Sequence, residues 1–193
     1  MTKNQLYSIN PKNYEKMMSW SIPSENEIDG IIQQASNTQQ VWEVTNFNSK
    51  IRFTKELANI LKDRNNELSI LMADEMGKPI SQGKMEIKKC IWLCDYYINN
   101  AENFLSNDNI ETEYSQSYVT YRPLGLVLGI MPWNFPFWQV IRFAVPALIV
   151  GNGVLLKHSS NVQGCANAIE SCFNEAGFPK ELFKNLQIPS AMV

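Results

Sequence analysis

Leu124-Gly-Leu-Val-Leu-Gly-Ile-Met131 and, thirty residues later, Val154-Leu-Leu-Lys157 are the stretches that decide the fold. The first is almost continuously apolar and is bounded by Pro123 and Pro132, the pattern of a strand covered on both faces as in a parallel sheet. The second is a shorter buried strand that runs into a cation. Between them, Phe137 to Val150 has helical spacing and closes on the turn Gly151-Asn-Gly153. Beyond them, Asn161 to Ala176 reads as a helix stopped by Gly177 and Pro179, and Leu182 to Ile188 as a third strand. Strand, helix, strand, helix, strand predicts an α/β fold, a Rossmann-like parallel sheet with right-handed crossovers and flanking helices.

The region before these strands has a different period. From Glu25 to about Asn103 apolar residues recur at three- and four-residue spacing. Ser24 and Glu27 form a capping box, and Ile28, Ile31, Ile32 and Ala35 share one face behind it. A break is expected at Gly77 to Pro79. A further helix then carries Ile87, Ile91, Cys94 and Ile98 on one stripe, with Met85, Trp92 and Cys90 read as core packing beside it. From Glu111 to Tyr121 the sequence alternates loosely and reads as a strand or hairpin with one wet face.

Composition narrows the function classes. Apolar residues make up 45% and aromatics 11%, enough for a packed core and too many for a disordered chain. Seventeen basic against nineteen acidic residues leave a charge of -2 without a basic block, which argues against a nucleic-acid partner. Met1 to Asn13 is polar and lacks a secretory apolar run, so a cytoplasmic protein is expected. Between Pro123 and Leu156 the one charged residue is Arg142, yet prolines and amides interrupt the segment too often for a membrane span. With four cysteines and a single histidine, His158, neither a disulfide framework nor a metal site is expected.

In an open parallel sheet ligands bind outside the carboxyl ends of the strands. The first strand delivers Met131, Pro132, Trp133 and Asn134 to that edge, and the second delivers Lys157, His158, Ser159 and Ser160. An amide and a cation would thus arrive side by side, although Asn before Phe-Pro is also a common turn former and Lys after a strand a common solvated end. Gly151-Asn-Gly153 follows a helix and opens a strand, the reverse of a phosphate cradle, and is not read as one. Gly125 and Gly129 are read as allowing close approach of neighbouring backbone.

The run Tyr121-Arg-Pro-Leu-Gly-Leu-Val-Leu-Gly-Ile-Met-Pro-Trp-Asn-Phe-Pro-Phe137, followed by Pro146-Ala-Leu-Ile-Val-Gly-Asn-Gly-Val-Leu-Leu-Lys157, resembles the aldehyde dehydrogenase superfamily. Ala35 to Trp42, Glu75-Met-Gly-Lys-Pro79 and Ala176-Gly-Phe-Pro179 are similar to family positions as well. Leu156-Lys-His-Ser-Ser-Asn-Val-Gln-Gly-Cys-Ala166, with His158 where most members have proline, resembles the bacterial succinate-semialdehyde dehydrogenase branch.

This resemblance implies that residues 1–110 are the helical part of a cofactor domain, 111–122 a first piece of a strand-built oligomerisation element, and 123–193 the sheet part of the cofactor domain. It implies NAD or NADP as cofactor, a small aldehyde as substrate and a homo-oligomer at full length. Asn134 matches the oxyanion-hole asparagine, and Ile130, Met131, Pro132 and Trp133 match the wall beside the nicotinamide. Lys157 matches the lysine that binds the adenosine ribose, with His158, Ser159 and Ser160 beside it. Ser160 stands where many NAD-preferring members have glutamate, which leaves room for a 2'-phosphate. His158 is expected on a surface loop without a role in catalysis.

The family mechanism also needs a nucleophilic cysteine and a glutamate base beyond the third strand. Cys165 and Cys172, set among packing residues, are not expected to replace them. The chain is therefore expected to be an amino-terminal portion, inactive alone and poorly soluble because a three-strand sheet leaves a bare edge. The alternative is a truncated, non-catalytic nucleotide-binding or assembly remnant.

Overall fold

The structure, a computed structural model, describes residues 5–193; the first four residues of the polar segment Met1 to Asn13 lie outside it. Its first feature is an antiparallel hairpin, β1 (Gln5–Ile9) and β2 (Lys16–Ser21), paired from Gln5↔Ser21 to Ile9↔Lys16. No strand was expected here. The inward side of β1 consists of Leu6 and Ser8 alone, so the five residues offer almost no apolar contrast to read.

Four helices follow: α1 (Glu25–Glu43), α2 (Phe47–Asp63), α3 (Asn65–Met76) and α4 (Ile80–Leu105). The capping box at the start of α1 is present, with Ser24 accepting the Glu27 amide and the Glu27 carboxylate accepting the Ser24 amide at 2.7 Å. The break at Gly77 to Pro79 is present too, with Gly77 closing α3 at φ 73. Along α4, Ile87, Cys90 and Cys94 are buried, as their spacing requires. Met85 and Trp92 are not. Trp92 is 60% exposed and stacks on Tyr96 at the surface, so the expectation of core packing fails for both: they lie off the Ile87–Cys94 stripe.

The expected β segment over 111–121 is shorter and begins earlier. Its ladder joins β3 (Asp108–Asn109) to β4 (Tyr118–Val119), and the residues between make the loop. Tyr114, Tyr118, Val119 and Tyr121 are all exposed, so the alternation has no surface to pack against and pairing stops after two residues a side.

The α/β core follows as β5 (Leu126–Met131), α5 (Trp138–Val150), β6 (Gly153–His158), α6 (Gln163–Glu175) and β7 (Phe183–Asn185), with a single turn of 3-10 helix at Ser160–Val162 before α6. The sheet is parallel in the order β5-β6-β7, as the sequence predicted. Central β6 is buried along its whole length. Val154 and Leu156 face the main core with α5 and α6, whereas Leu155 packs with Ala35 of α1 and with Leu186 and Ile188. Trp42 ties α1 to the end of α5 through an indole N–H to the Leu148 carbonyl at 2.7 Å.

Two expectations about the strands need correction. β5 is an edge strand rather than one covered on both faces: Leu128 and Ile130, on the α1 side, are 47% and 58% exposed. The close approach at Gly129 is made by a side chain rather than by backbone, because a Cβ there would lie 2.6 Å from the Phe143 ring of α5. Gly125 lies just before the strand and is needed instead for its positive φ of 110. Gly151 caps α5 and passes the chain into β6, while Asn152 accepts the amides of Leu124 and Gly125, so this turn is a splice between helix and strand and not a phosphate loop.

Candidate functional site at the carboxyl edge of the sheet

The parallel register sets Ile130 beside Lys157 and Met131 beside His158, so β5 and β6 end level. The Ser159 amide continues the ladder to the Met131 carbonyl at 3.1 Å, and both connecting loops leave from one edge. Alternation then sorts the side chains. Ile130 and Lys157 lie on the α1 face with Leu155, and Met131 and His158 on the opposite face with Leu156.

Ile130, Pro132, Trp133 and Asn134 form an exposed ridge, with Met131 half-buried between them. The Asn134 amide has no hydrogen-bond partner among the described residues. Lys157 behaves differently from a solvated strand end. It is 4% exposed, its ammonium donates to Ser190 Oγ at 2.8 Å, and burial lowers its pKa. Two of its three N–H donors stay unused in that contact. Ser159 and Ser160 are half-buried, with Ser159 Oγ bonded to Asn161 Oδ1 at 2.7 Å.

His158 is not on a surface loop: it is the fully buried last residue of β6. A side chain there points back into the α5 side of the sheet. Nδ1 accepts the Ser159 amide at 2.8 Å, which leaves the proton on Nε2 to donate to the Pro136 carbonyl at 3.0 Å. Burial pushes its pKa below the usual imidazole value. The ring therefore links the end of β6 to the loop that carries Asn134.

Two buried carboxylates complete the edge and were not singled out from the sequence. Glu75, at the end of α3, accepts the amides of Gly164 and Cys165 at 2.7 Å each, where α6 begins. A Cβ on Gly164 would lie 2.6 Å from that oxygen, so only glycine lets the carboxylate in. Glu86 of α4 accepts the amides of Phe137 and Trp138 at 2.9 Å each, where α5 begins, and is ion-paired with the buried Lys78. The available signal was positional. Glu75 continues the Leu68, Met72 stripe and Glu86 shares the buried stripe of Gly83, Ile87 and Cys90; a carboxylate on such a stripe must have partners waiting.

These contacts also locate what the edge cannot do. The free amides at both helix starts, the ordinary place for a phosphate, already hold protein carboxylates. The cysteines are equally unavailable. All four are buried, burial raises the pKa of Cys90 and Cys165 far up, and it pushes Cys94 and Cys172 to about 12. Among the described residues no cluster of His, Cys, Asp and Glu could hold a metal, and no helix is long and apolar enough to cross a membrane.

Comparison with known proteins agrees with this architecture. The description "Aldehyde dehydrogenase family" matches residues 1–192, and the chain belongs to that family. It is 42% identical over 181 residues to a Synechocystis protein named as a probable NADP(+)-dependent succinate-semialdehyde dehydrogenase, covering 94% of this chain and 40% of that one. It is 38% identical to the NAD(P)+ succinate semialdehyde dehydrogenase Sad of Escherichia coli, covering 91% and 38%. The crystal structure of succinic semialdehyde dehydrogenase from Streptococcus pyogenes in complex with NADP+ superposes with a TM-score of 0.93 at 27% identity, over 97% of this chain and 41% of that one. The chain spans about two fifths of the length of the curated relatives it matches.

His158 generates a pH dependence. Its folded pKa lies below the unfolded value near 6.5, so the unfolded chain takes up a proton before the native state does. Stability from this group is complete above pH 6.5 and is lost as pH falls through the lower folded pKa. We expect the denaturation midpoint to decline from pH 7 toward 5.5, and His158→Leu, less stable overall, to lose that portion of the slope; equal slopes would show that the imidazole is not buried neutral.

Proposed function

We propose that this chain forms the nucleotide-facing, oxyanion-stabilising part of an enzyme that oxidises a carboxylated aldehyde, succinate semialdehyde as in the names of its relatives, with NAD or NADP. The observation that carries the reading is the unpartnered Asn134 amide on a braced loop, level with a cation at the end of the adjacent strand. As a nucleophile adds to an aldehyde, negative charge grows on the carbonyl oxygen. An amide N–H already aimed at that position lowers the barrier without having to reorganise. The exposed flank of Ile130, Pro132 and Trp133 offers an apolar wall to a flat aromatic ring.

The residues present fit a dinucleotide in this reading. Lys157 has N–H donors left for ribose hydroxyls, and Ser160 puts no carboxylate where a 2'-phosphate would be repelled. NAD(P)+ supplies the hydride acceptor when bound. The attacking thiolate comes from residues other than the four buried cysteines here. The hairpin of β3 and β4, with its exposed tyrosines, is the start of the oligomerisation element, and the assembled enzyme is a cytoplasmic homo-oligomer.

Arg142 gives the substrate class a physical basis. It is the one charge between Pro123 and Leu156, and it stands exposed four residues into α5, the helix that follows the Asn134 loop. Helix side chains lean toward the amino end, and the guanidinium donates to Gln139 one turn back at 2.9 Å, toward that loop. A cation so placed suits the far carboxylate of a short semialdehyde.

Three measurements on the complete gene product test this. Asn134→Ala should lower kcat roughly 10²- to 10³-fold while cofactor affinity stays within twofold, and unchanged turnover would remove the assignment. Lys157→Met should raise the cofactor Kd about tenfold or more, read by fluorescence titration, for loss of a charge-assisted bond. Arg142→Gln should raise KM for succinate semialdehyde at least about tenfold and leave butanal unaffected; a matching loss with butanal would refute a carboxylate contact. A product that binds NADP and oxidises no aldehyde would favour the non-catalytic remnant.

A further inference from the structure

We propose that Glu86, with Lys78 as its counter-ion, is the positioning residue for Asn134. The inference rests on the reading of Asn134 as the donor to the aldehyde oxygen. The four residues after Asn134 are held by three side chains, Lys78, His158 and Glu86. Phe135 lies under the Lys78 ammonium, 4.0 Å from ring centroid to nitrogen, and the Pro136 carbonyl accepts from His158. The amides of Phe137 and Trp138 both donate to Glu86 Oε1, and Glu86 Oε2 meets Lys78. Both charged side chains are buried, at 1% and 6% exposure, so neither can turn to water instead.

The arrangement divides the work between the two oxygens of one carboxylate. One fixes the backbone at the start of α5, and the other holds the ammonium that covers the residue next to Asn134. A free asparagine side chain on a free loop would sample many directions. Here the backbone behind it has few, and an oxyanion donor must be aimed to within about half an ångström.

Glu86 touches no reacting atom in this account, so its effect must pass through Asn134, and a double-mutant cycle separates that route from general loss of structure. Using the complete gene product, we expect Glu86→Leu to lower kcat about a hundredfold, as a misplaced group does, with cofactor Kd within twofold. In the Asn134→Ala background the same substitution should cost less than about threefold. The paired Lys78→Met, Glu86→Gln variant, uncharged and still able to accept from both amides, should recover turnover to within about threefold of wild type. Equal fold-losses in the two backgrounds, full turnover in Glu86→Leu, or no recovery in the paired variant would overturn the proposal.

Amide hydrogen exchange provides a readout that does not need turnover. Exchange across residues 132–138 should rise at least about tenfold in Glu86→Leu while the β6 amides keep their protection. Unchanged exchange at 132–138 overturns the clasp itself. Absence of aldehyde oxidation by the wild type overturns the dehydrogenase reading, so the two failures appear in different measurements.

Discussion

Everything at the carboxyl edge of the sheet depends on the pairing of β5 with β6. β6 is covered on both faces, so it can carry polar groups only where the strand ends and only if each is met. Lys157 and His158 are those groups, and they go to opposite faces because successive residues of a strand do. Lys157 meets Ser190 on the α1 side, and His158 meets Pro136 on the α5 side. One strand end therefore places a buried cation on one face of the sheet and a neutral ring beneath the neighbouring loop on the other.

The helical region before the sheet supplies what the strands cannot. Parallel strands leave their connecting loops without cross-strand partners, so the starts of α5 and α6 need acceptors from elsewhere. Both come from the stretch between the end of α3 and the middle of α4: Glu75 for α6, and Glu86, balanced by Lys78, for α5. Residues that a sequence reader files as scaffold, far from the strands in chain order, thereby set the geometry of the edge.

This division explains what could be read from the sequence. Strands β5 and β6, the helices between and after them and the shared edge were legible because buried runs, glycine turns and prolines are local signals. The capping box at Ser24 was legible for the same reason. Trp92 was misjudged because a large apolar residue on a buried helix suggests packing whichever way it faces. The exposed side of β5 was hidden because leucine and isoleucine look alike whether or not a helix covers them. Hairpin β1–β2 gave too little contrast, with a buried serine in its inward row. Most hidden were the contacts of Glu75, Lys78 and Glu86: helical spacing puts both carboxylates on buried stripes, but their partners lie 89, 8 and 51 residues away and spacing does not name them.

The sealed helix starts also constrain how a dinucleotide can lie on this edge. In the usual doubly wound arrangement, the pyrophosphate rests on the first helix amino terminus, reached through a glycine-rich turn. Here the two helix starts beside Asn134 and Lys157 present carboxylates, which would repel a phosphate and which are already saturated by amides. The edge is left with donors and apolar surface at its two ends and nothing for an anion between them. A nucleotide that uses Lys157 for a ribose and the Trp133 ridge for a ring must then meet its pyrophosphate on some other element. On the proposed reading, this edge would orient the two ends of a dinucleotide through Lys157 and Trp133, and its pyrophosphate would be met by an element other than these two helix starts.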